Sequence, residues 1–306
     1  MISEIEFKGW KRNLRLNDGI AELVITLDVG PRILHAAPIG GKNLFCEFPD
    51  QIGRAGEEEW KIRGGHRFWT APENEESYTP DNVPVDYRKI DDNTVEIASP
   101  AQSDHGWQKT LRIASLGNGR FTVLHTLTNS GTKPLEVTPW ALSVMAPGGT
   151  AVLPQSAPKL HPLDNPPGTP VNVDDYQSNR RVVLWKYSHL NDPRLTLEKE
   201  FWFVRHEADS KCFKMGLHFQ EKWVAYQLGN HYFAKTVPAP GGTYPDDGSN
   251  FELFTNKDIL ELETLAPLGP LPVGASRSHE ETWQIGTLSE SITTVAGAKA
   301  FFATLK

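Results

Sequence analysis

Glu261 and Glu263 stand two residues apart in Ile259-Leu260-Glu261-Leu262-Glu263-Thr264-Leu265, and the alternation predicts a strand there. Strand side chains two apart share a face, so the two carboxylates stand together while Leu260 and Leu262 point the other way. In a cleft, mutual repulsion and partial desolvation raise at least one pKa, giving a base able to take a proton from a sugar hydroxyl. On an open surface the same pattern is an ordinary strand with solvated acids, and spacing alone does not choose between the two.

A second stretch, Lys61-Ile62-Arg63-Gly64-Gly65-His66-Arg67-Phe68-Trp69-Thr70-Ala71-Pro72-Glu73, gathers two guanidiniums, an imidazole and an indole around paired glycines. It reads as a glycine turn, because glycine allows the tight backbone that brings such groups within short reach. Arg offers forked donors to hydroxyls or carboxylates, and an indole face covers the apolar C–H side of a pyranose. The candidate sugar contacts are therefore Arg63, Arg67 and Trp69, with His66 beside them. The competing reading pairs the Arg residues with Glu57, Glu58 or Glu59. Trp140, ahead of Ala146-Pro147-Gly148-Gly149, is either a stacking platform or a core residue. His125 shares a strand face with Phe121, Val123 and Leu127 and reads as a hydrogen-bonded core histidine; Asp104-His105-Gly106 reads as a turn.

Other chemistries lack their motifs. There is no P-loop, GxSxG elbow or HExxH, and Gly117-Asn118-Gly119 lacks the third glycine of a dinucleotide site. The histidines show no HxH or HxxxH spacing, so no metal and no cofactor is expected from local motifs; a site assembled from distant strands stays open. Cys46 and Cys212 are too far apart for a CxxC element and are expected to be reduced.

The elements that must position these residues are mostly strands. Stretches of four to nine residues with alternating polarity recur between Gly, Pro, Asn and Asp, which predicts antiparallel sheets. Ala21 to Val29, Phe121 to Leu127 and Leu195 to Val204 each read as a strand. One amphipathic helix is expected at the C-terminus, where Ile292, Val295, Ala296, Phe302 and Leu305 form a stripe with Ser289 as candidate cap. Glu73 to Asp86 and the proline-rich Pro154 to Asp175 read as long loops. Alternating strand and helix units are missing, which argues against a doubly wound nucleotide fold. The 306 residues read as one domain, residues 1–306, of all-β class. A net charge of −7 with no concentrated basic patch argues against nucleic acid. No apolar run spans a bilayer and the start lacks a signal-peptide pattern, so a cytoplasmic protein without a membrane partner is expected.

Taken in order, these segments resemble the galactose mutarotase-like superfamily, the aldose 1-epimerases and hexose-6-phosphate mutarotases, and most of all an uncharacterised branch of it. Ile62-Arg63-Gly64-Gly65 is similar to the IRGG stretch of the hexose-phosphate mutarotases. Thr126-Leu127-Thr128-Asn129, followed by Gly131 and Pro134, resembles their central strand, turn and strand. Phe254-Thr255-Asn256 and Glu261-Leu262-Glu263-Thr264 resemble the segment that ends in the family's catalytic Glu, which falls on Glu263. Leu271-Pro272-Val273-Gly274 and Glu280-Glu281-Thr282-Trp283 resemble the closing strands. The resemblance implies a β-supersandwich of two large antiparallel sheets, with a short C-terminal helix here, whose concave face holds a sugar. It also implies acid/base opening of the sugar ring, a Glu withdrawing the anomeric proton while a His protonates the ring oxygen. The family's His position reads Thr138-Pro139-Trp140-Ala141-Leu142 in this chain, with no His. The expected site is then Glu263 as base and His66 as acid, with Arg63, Arg67, Trp69, Trp140 and Glu261 as substrate contacts. Two other readings stand beside it: a sugar sensor or carrier without turnover, and a β-sandwich scaffold for a protein or polymer.

Overall fold

The computed structural model of the chain describes residues 1–101, 106–156, 159–219, 223–238 and 240–305, so Asp104 and His105 of the expected turn lie outside the described residues. Period-two burial builds the architecture. Arg120–Asn129 buries every second residue, His125 among them, as its alternation predicts. Such strands, with one face apolar, are stable only when that face meets another layer. Two ten-stranded antiparallel sheets result.

The first sheet runs, edge to edge, Ile2–Phe7, Trp10–Asn17, Ala21–Thr26, Arg32–Pro38, Gly65–Ala71, Thr138–Met145, Leu260–Leu265, Phe251–Thr255, Phe213–Leu217 and Val182–Leu184. The second runs Leu195–Leu197, Phe201–Arg205, Thr150–Pro154, Trp223–Leu228, His231–Thr236, Ser276–Thr287, Arg120–Asn129, Trp107–Gly117, Thr94–Ala98 and Asp86–Lys89. Phe68, Met145, Leu262, Leu253 and Met215 of the first sheet meet Phe121, Leu127, Phe233 and Trp283 of the second in one buried apolar cluster. That cluster is the sandwich interior.

Three expectations about elements change. Leu195 to Val204 is a hairpin rather than one strand: Leu195–Leu197 pairs with Phe201–Arg205, and the Glu198 amide donates to the Phe201 carbonyl at 3.1 Å across the turn. The C-terminal helix, Val295–Phe302, is capped by Thr294, whose Oγ1 accepts from the Gly297 amide at 3.1 Å, and not by Ser289. It packs Val295, Phe301 and Phe302 against Phe201, Phe203 and Trp223, on the far side of the second sheet. Finally, the paired glycines lead into a strand that begins at Gly65. Gly64 and Gly65 have φ of 71° and 69°, and a Cβ would overlap the Cys46 carbonyl at the first and the Ile33 carbonyl at the second. Only glycine lets the chain pass that close.

Candidate functional site on the outer face of the first sheet

Once Gly65–Ala71 is a strand, its side chains must alternate: Arg67 and Trp69 leave one face, His66 and Phe68 the other. Register then carries each face across the sheet. Gly216 pairs with Glu252, Glu252 with Glu263, Glu263 with Leu142, and Leu142 with Arg67, so these residues form one rung on the face turned away from the second sheet. The neighbouring rungs add Glu261 opposite Phe254 and Val144, and Trp140 opposite Trp69. Loops cover this outer face, and the strand residues on it are buried although they lie outside the sandwich interior.

Charges and indoles interleave here. Glu263 is 1% exposed; its Oε2 accepts from Trp140 Nε1 at 3.0 Å and lies 3.5 Å from Lys214 Nζ. Burial lifts the Glu263 pKa to about 7 against the pull of Lys214, with Glu261 adding to the rise. Lys214 Nζ sits 2.8 Å from Glu252 Oε2 as a buried ion pair. Burial opposes the Lys214 charge, yet Glu263, Glu252 and Glu73 outweigh it and raise the lysine's pKa. Burial also pushes the Glu252 carboxyl well above its usual range, only partly offset by Lys214. The ammonium lies over the Trp140 ring at 4.6 Å and the Trp185 ring at 4.7 Å.

Arg67 completes the wall. Its Nη1 donates to Glu261 Oε1 at 2.7 Å, and its guanidinium lies 4.5 Å from the Trp69 ring centre and 5.6 Å from that of Trp60. Tyr78 closes on both indoles, 4.9 Å from Trp69 and 5.3 Å from Trp60. Arg67 Nε and Trp60 Nε1 are buried without a hydrogen-bond partner.

Two expected site residues stand elsewhere. Arg63 is 2% exposed and spends its guanidinium on loops to either side of it in the chain: Nε and Nη2 donate to Asn82 Oδ1, Nη2 also to Glu57, and Nη1 to the Gln51 and Arg54 carbonyls. All five N–H groups are engaged, so Arg63 staples these loops and has no donor left for a sugar. His66 points through the sheet into the sandwich interior, on the opposite face from Glu263, because it is one residue from Arg67 on a strand. It cannot serve as the acid opposite Glu263 from there.

His66 instead joins a polar clasp between the sheets. His66 Nδ1 meets Ser143 Oγ at 2.9 Å, His66 Nε2 meets His125 Nε2 at 2.7 Å, and His125 Nδ1 meets the His279 carbonyl at 3.0 Å. Since a carbonyl only accepts, His125 Nδ1 carries a proton, His66 donates from Nε2, and Ser143 donates to His66 Nδ1. Lys235 Nζ donates to Glu281 Oε1 at 2.7 Å, the Leu262 carbonyl at 2.8 Å and Ser143 Oγ at 3.2 Å. Thr264 and Trp283 Nε1 complete the donors to Glu281, at 2.6 and 2.7 Å. His66 Nε2, His125 Nε2 and a Glu281 oxygen lie within 4.8 Å of one another, the one grouping among the described residues with the donors for a metal. Their lone pairs and protons are already matched to one another, and the Lys235 ammonium shares the carboxylate, so these residues do not fit a cation as arranged.

Lys214, Glu252, Trp185 and Trp60 were not singled out in the sequence. A signal existed for the first two: Lys214 alternates with Phe213 and Met215, and Glu252 with Phe251 and Leu253. Both therefore share a face with Glu263, but only the register across strands shows it. No helix among the described residues is long and apolar enough to cross a membrane.

No protein-family model matches the sequence, and no curated relative matches it. Solved structures do. The Slr1438 protein from Synechocystis is similar at a TM-score of 0.58 and 12% identity, over 93% of this chain and 99% of that one. A candidate aldose 1-epimerase from Klebsiella pneumoniae is similar at 0.57 and 13% identity, over 99% and 86%. A galactose mutarotase-like protein from Lactobacillus casei is similar at 0.50 and 8% identity, over 89% and 99%. The resemblance read from the sequence thus holds at the level of architecture, and the chain has the galactose mutarotase-like fold.

Proposed function

We propose that the outer face of the first sheet binds a sugar and that Glu263 is the base that takes the anomeric proton. The observation that carries this reading is Glu263 itself: a buried carboxylate with a pKa of about 7, beside the indole of Trp140. A base poised near neutral pH exchanges protons with a hydroxyl in both directions, as ring opening and closing require. The unpartnered donors Arg67 Nε and Trp60 Nε1, beside the indoles of Trp69 and Trp140, gain acceptors when hydroxyls arrive. The likeness to proteins described as aldose 1-epimerase and galactose mutarotase-like supports the same class of ligand. Arg67 and Lys214 are both engaged by carboxylates, which favours an uncharged aldose over a sugar phosphate.

The test is anomer interconversion followed by NMR exchange across hexoses, hexose phosphates and uronic acids. An uncharged aldose should interconvert above the buffer rate in wild type, and Glu263→Gln should lower that rate by about 100-fold or more, the usual size of a general-base contribution. Saturable calorimetric binding with no turnover on any sugar would instead favour the sensor or carrier, a reading motivated by the placement of His66 across the sheet.

A further inference from the structure

Base catalysis by Glu263 leaves the other half of the reaction without a donor, because His66 faces the interior. The ring oxygen of a pyranose is bonded to the same carbon as the anomeric hydroxyl, so the acid must stand close to the base and on the same face. Among the described residues, Lys214 meets that condition. Lys214 Nζ is 3.5 Å from Glu263 Oε2, held between the Trp140 and Trp185 rings, with Glu252 2.8 Å behind it. Arg67, a second cation of the face, donates to Glu261, and Arg32 on the same rung is spent on Asp81 and the Ile62 and Gly64 carbonyls.

We infer that Lys214 is the catalytic acid that protonates the ring oxygen, an assignment that rests on the carbohydrate reading above. Glu263 takes the proton of the anomeric hydroxyl, the bond between the anomeric carbon and the ring oxygen breaks, and that oxygen takes a proton from the Lys214 ammonium. The products are the open aldehyde with its new hydroxyl, a protonated Glu263 and a neutral Lys214 amine. After rotation about the bond between the first two carbons, the amine recovers its proton as the ring oxygen attacks the other face of the aldehyde. Glu263 returns its proton to the anomeric oxygen. The pair itself starts as one cation and one anion and passes through two neutral groups, so its own net charge stays zero throughout. The carboxylates around Lys214 keep it protonated at rest, and loss of the Glu263 charge on proton uptake removes one of the interactions that hold that proton.

The experiment compares wild type, Lys214→Arg and Lys214→Met by NMR anomer exchange and by calorimetric binding of the best sugar from the panel. Lys214→Arg keeps the positive charge but replaces the compact ammonium donor by a delocalised guanidinium. It is expected to keep sugar affinity within about threefold of wild type while losing about 100-fold in kcat, the scale of a general-acid contribution. Lys214→Met should lose at least as much. A Lys214→Arg enzyme that is folded by its thermal transition and retains kcat within about threefold would overturn the acid assignment, leaving the sugar reading intact. A wild type that neither binds nor turns over any sugar in the panel overturns both, and one that binds without turnover overturns the acid assignment and the base role of Glu263 while keeping the sugar.

Discussion

At the scale of single residues, the account turns on how neighbours set the Glu263 proton. Trp140 Nε1 donates to the charged carboxylate and so favours it. Trp140→Phe removes that donor, and a net hydrogen bond of about 1 kcal/mol corresponds to a rise of about 0.7 pKa unit. The base works only when ionised, so the acid limb of the kcat/KM profile, set near pH 7 in wild type, should move up by that amount in Trp140→Phe. A pH profile with an unmoved acid limb would sever Trp140 from Glu263. The pairing of Glu261 and Glu263 on one face was legible in seven residues of alternating sequence. His66 and Arg67 were not separated, because a stretch read as a glycine turn assigns no faces. The same rule of two divides them once the strand is known to start at Gly65.

At the scale of elements, the site depends on five strands held in one register. Gly65 sets where the first of them enters, passing so close to the Ile33 carbonyl that a methyl group would overlap it, at a φ that side chains rarely adopt. Gly65→Ala should therefore cost about 1–3 kcal/mol, the usual size of such strain, read as a lower urea midpoint with an unchanged slope. An unchanged midpoint would mean that the backbone relaxes freely there. Strands with one exposed face, such as Arg120–Asn129, were visible in the sequence as clean alternation. Strands at the centre of the first sheet were not, because Thr138–Met145 and Leu260–Leu265 are buried on both faces and the outer one carries charges and indoles under loops. Lys214 and Glu252 were hidden for this reason: local alternation gives a face, but only pairing between strands distant in sequence gives a neighbour. The hairpin within Leu195 to Val204 was missed because Glu198-Lys199-Glu200 carries no Gly, Pro, Asn or Asp to mark the turn.

At the scale of the molecule, the two sheets are joined by an apolar core with a polar clasp inside it. Burial lowers the pKa of His66, His125 and His279, the last to about 3, with Glu281 opposing and Lys235 reinforcing the effect. A histidine held neutral in the fold costs nothing above its unfolded pKa of about 6.5 and destabilises progressively as pH falls below it. Glu281, held low by Lys235 and the histidines despite its burial, adds a loss at still lower pH. Glu252 and Glu263 act in the opposite sense, since raised carboxyl pKa values favour the fold as pH falls from 7. The readout is therefore a difference. His279→Gln keeps a donor for Thr264 but cannot take a proton, so wild type should lose about 2 kcal/mol relative to it between pH 7 and pH 5. Parallel stability curves would show that the clasp does not titrate. The measurement that bears most directly on the whole account is a crystal structure with a bound aldose, soaked to saturation. A pyranose against Trp69 and Trp140, its anomeric hydroxyl about 3 Å from Glu263, is the predicted result. A sugar seated elsewhere, or an empty outer face at saturating sugar, would contradict it.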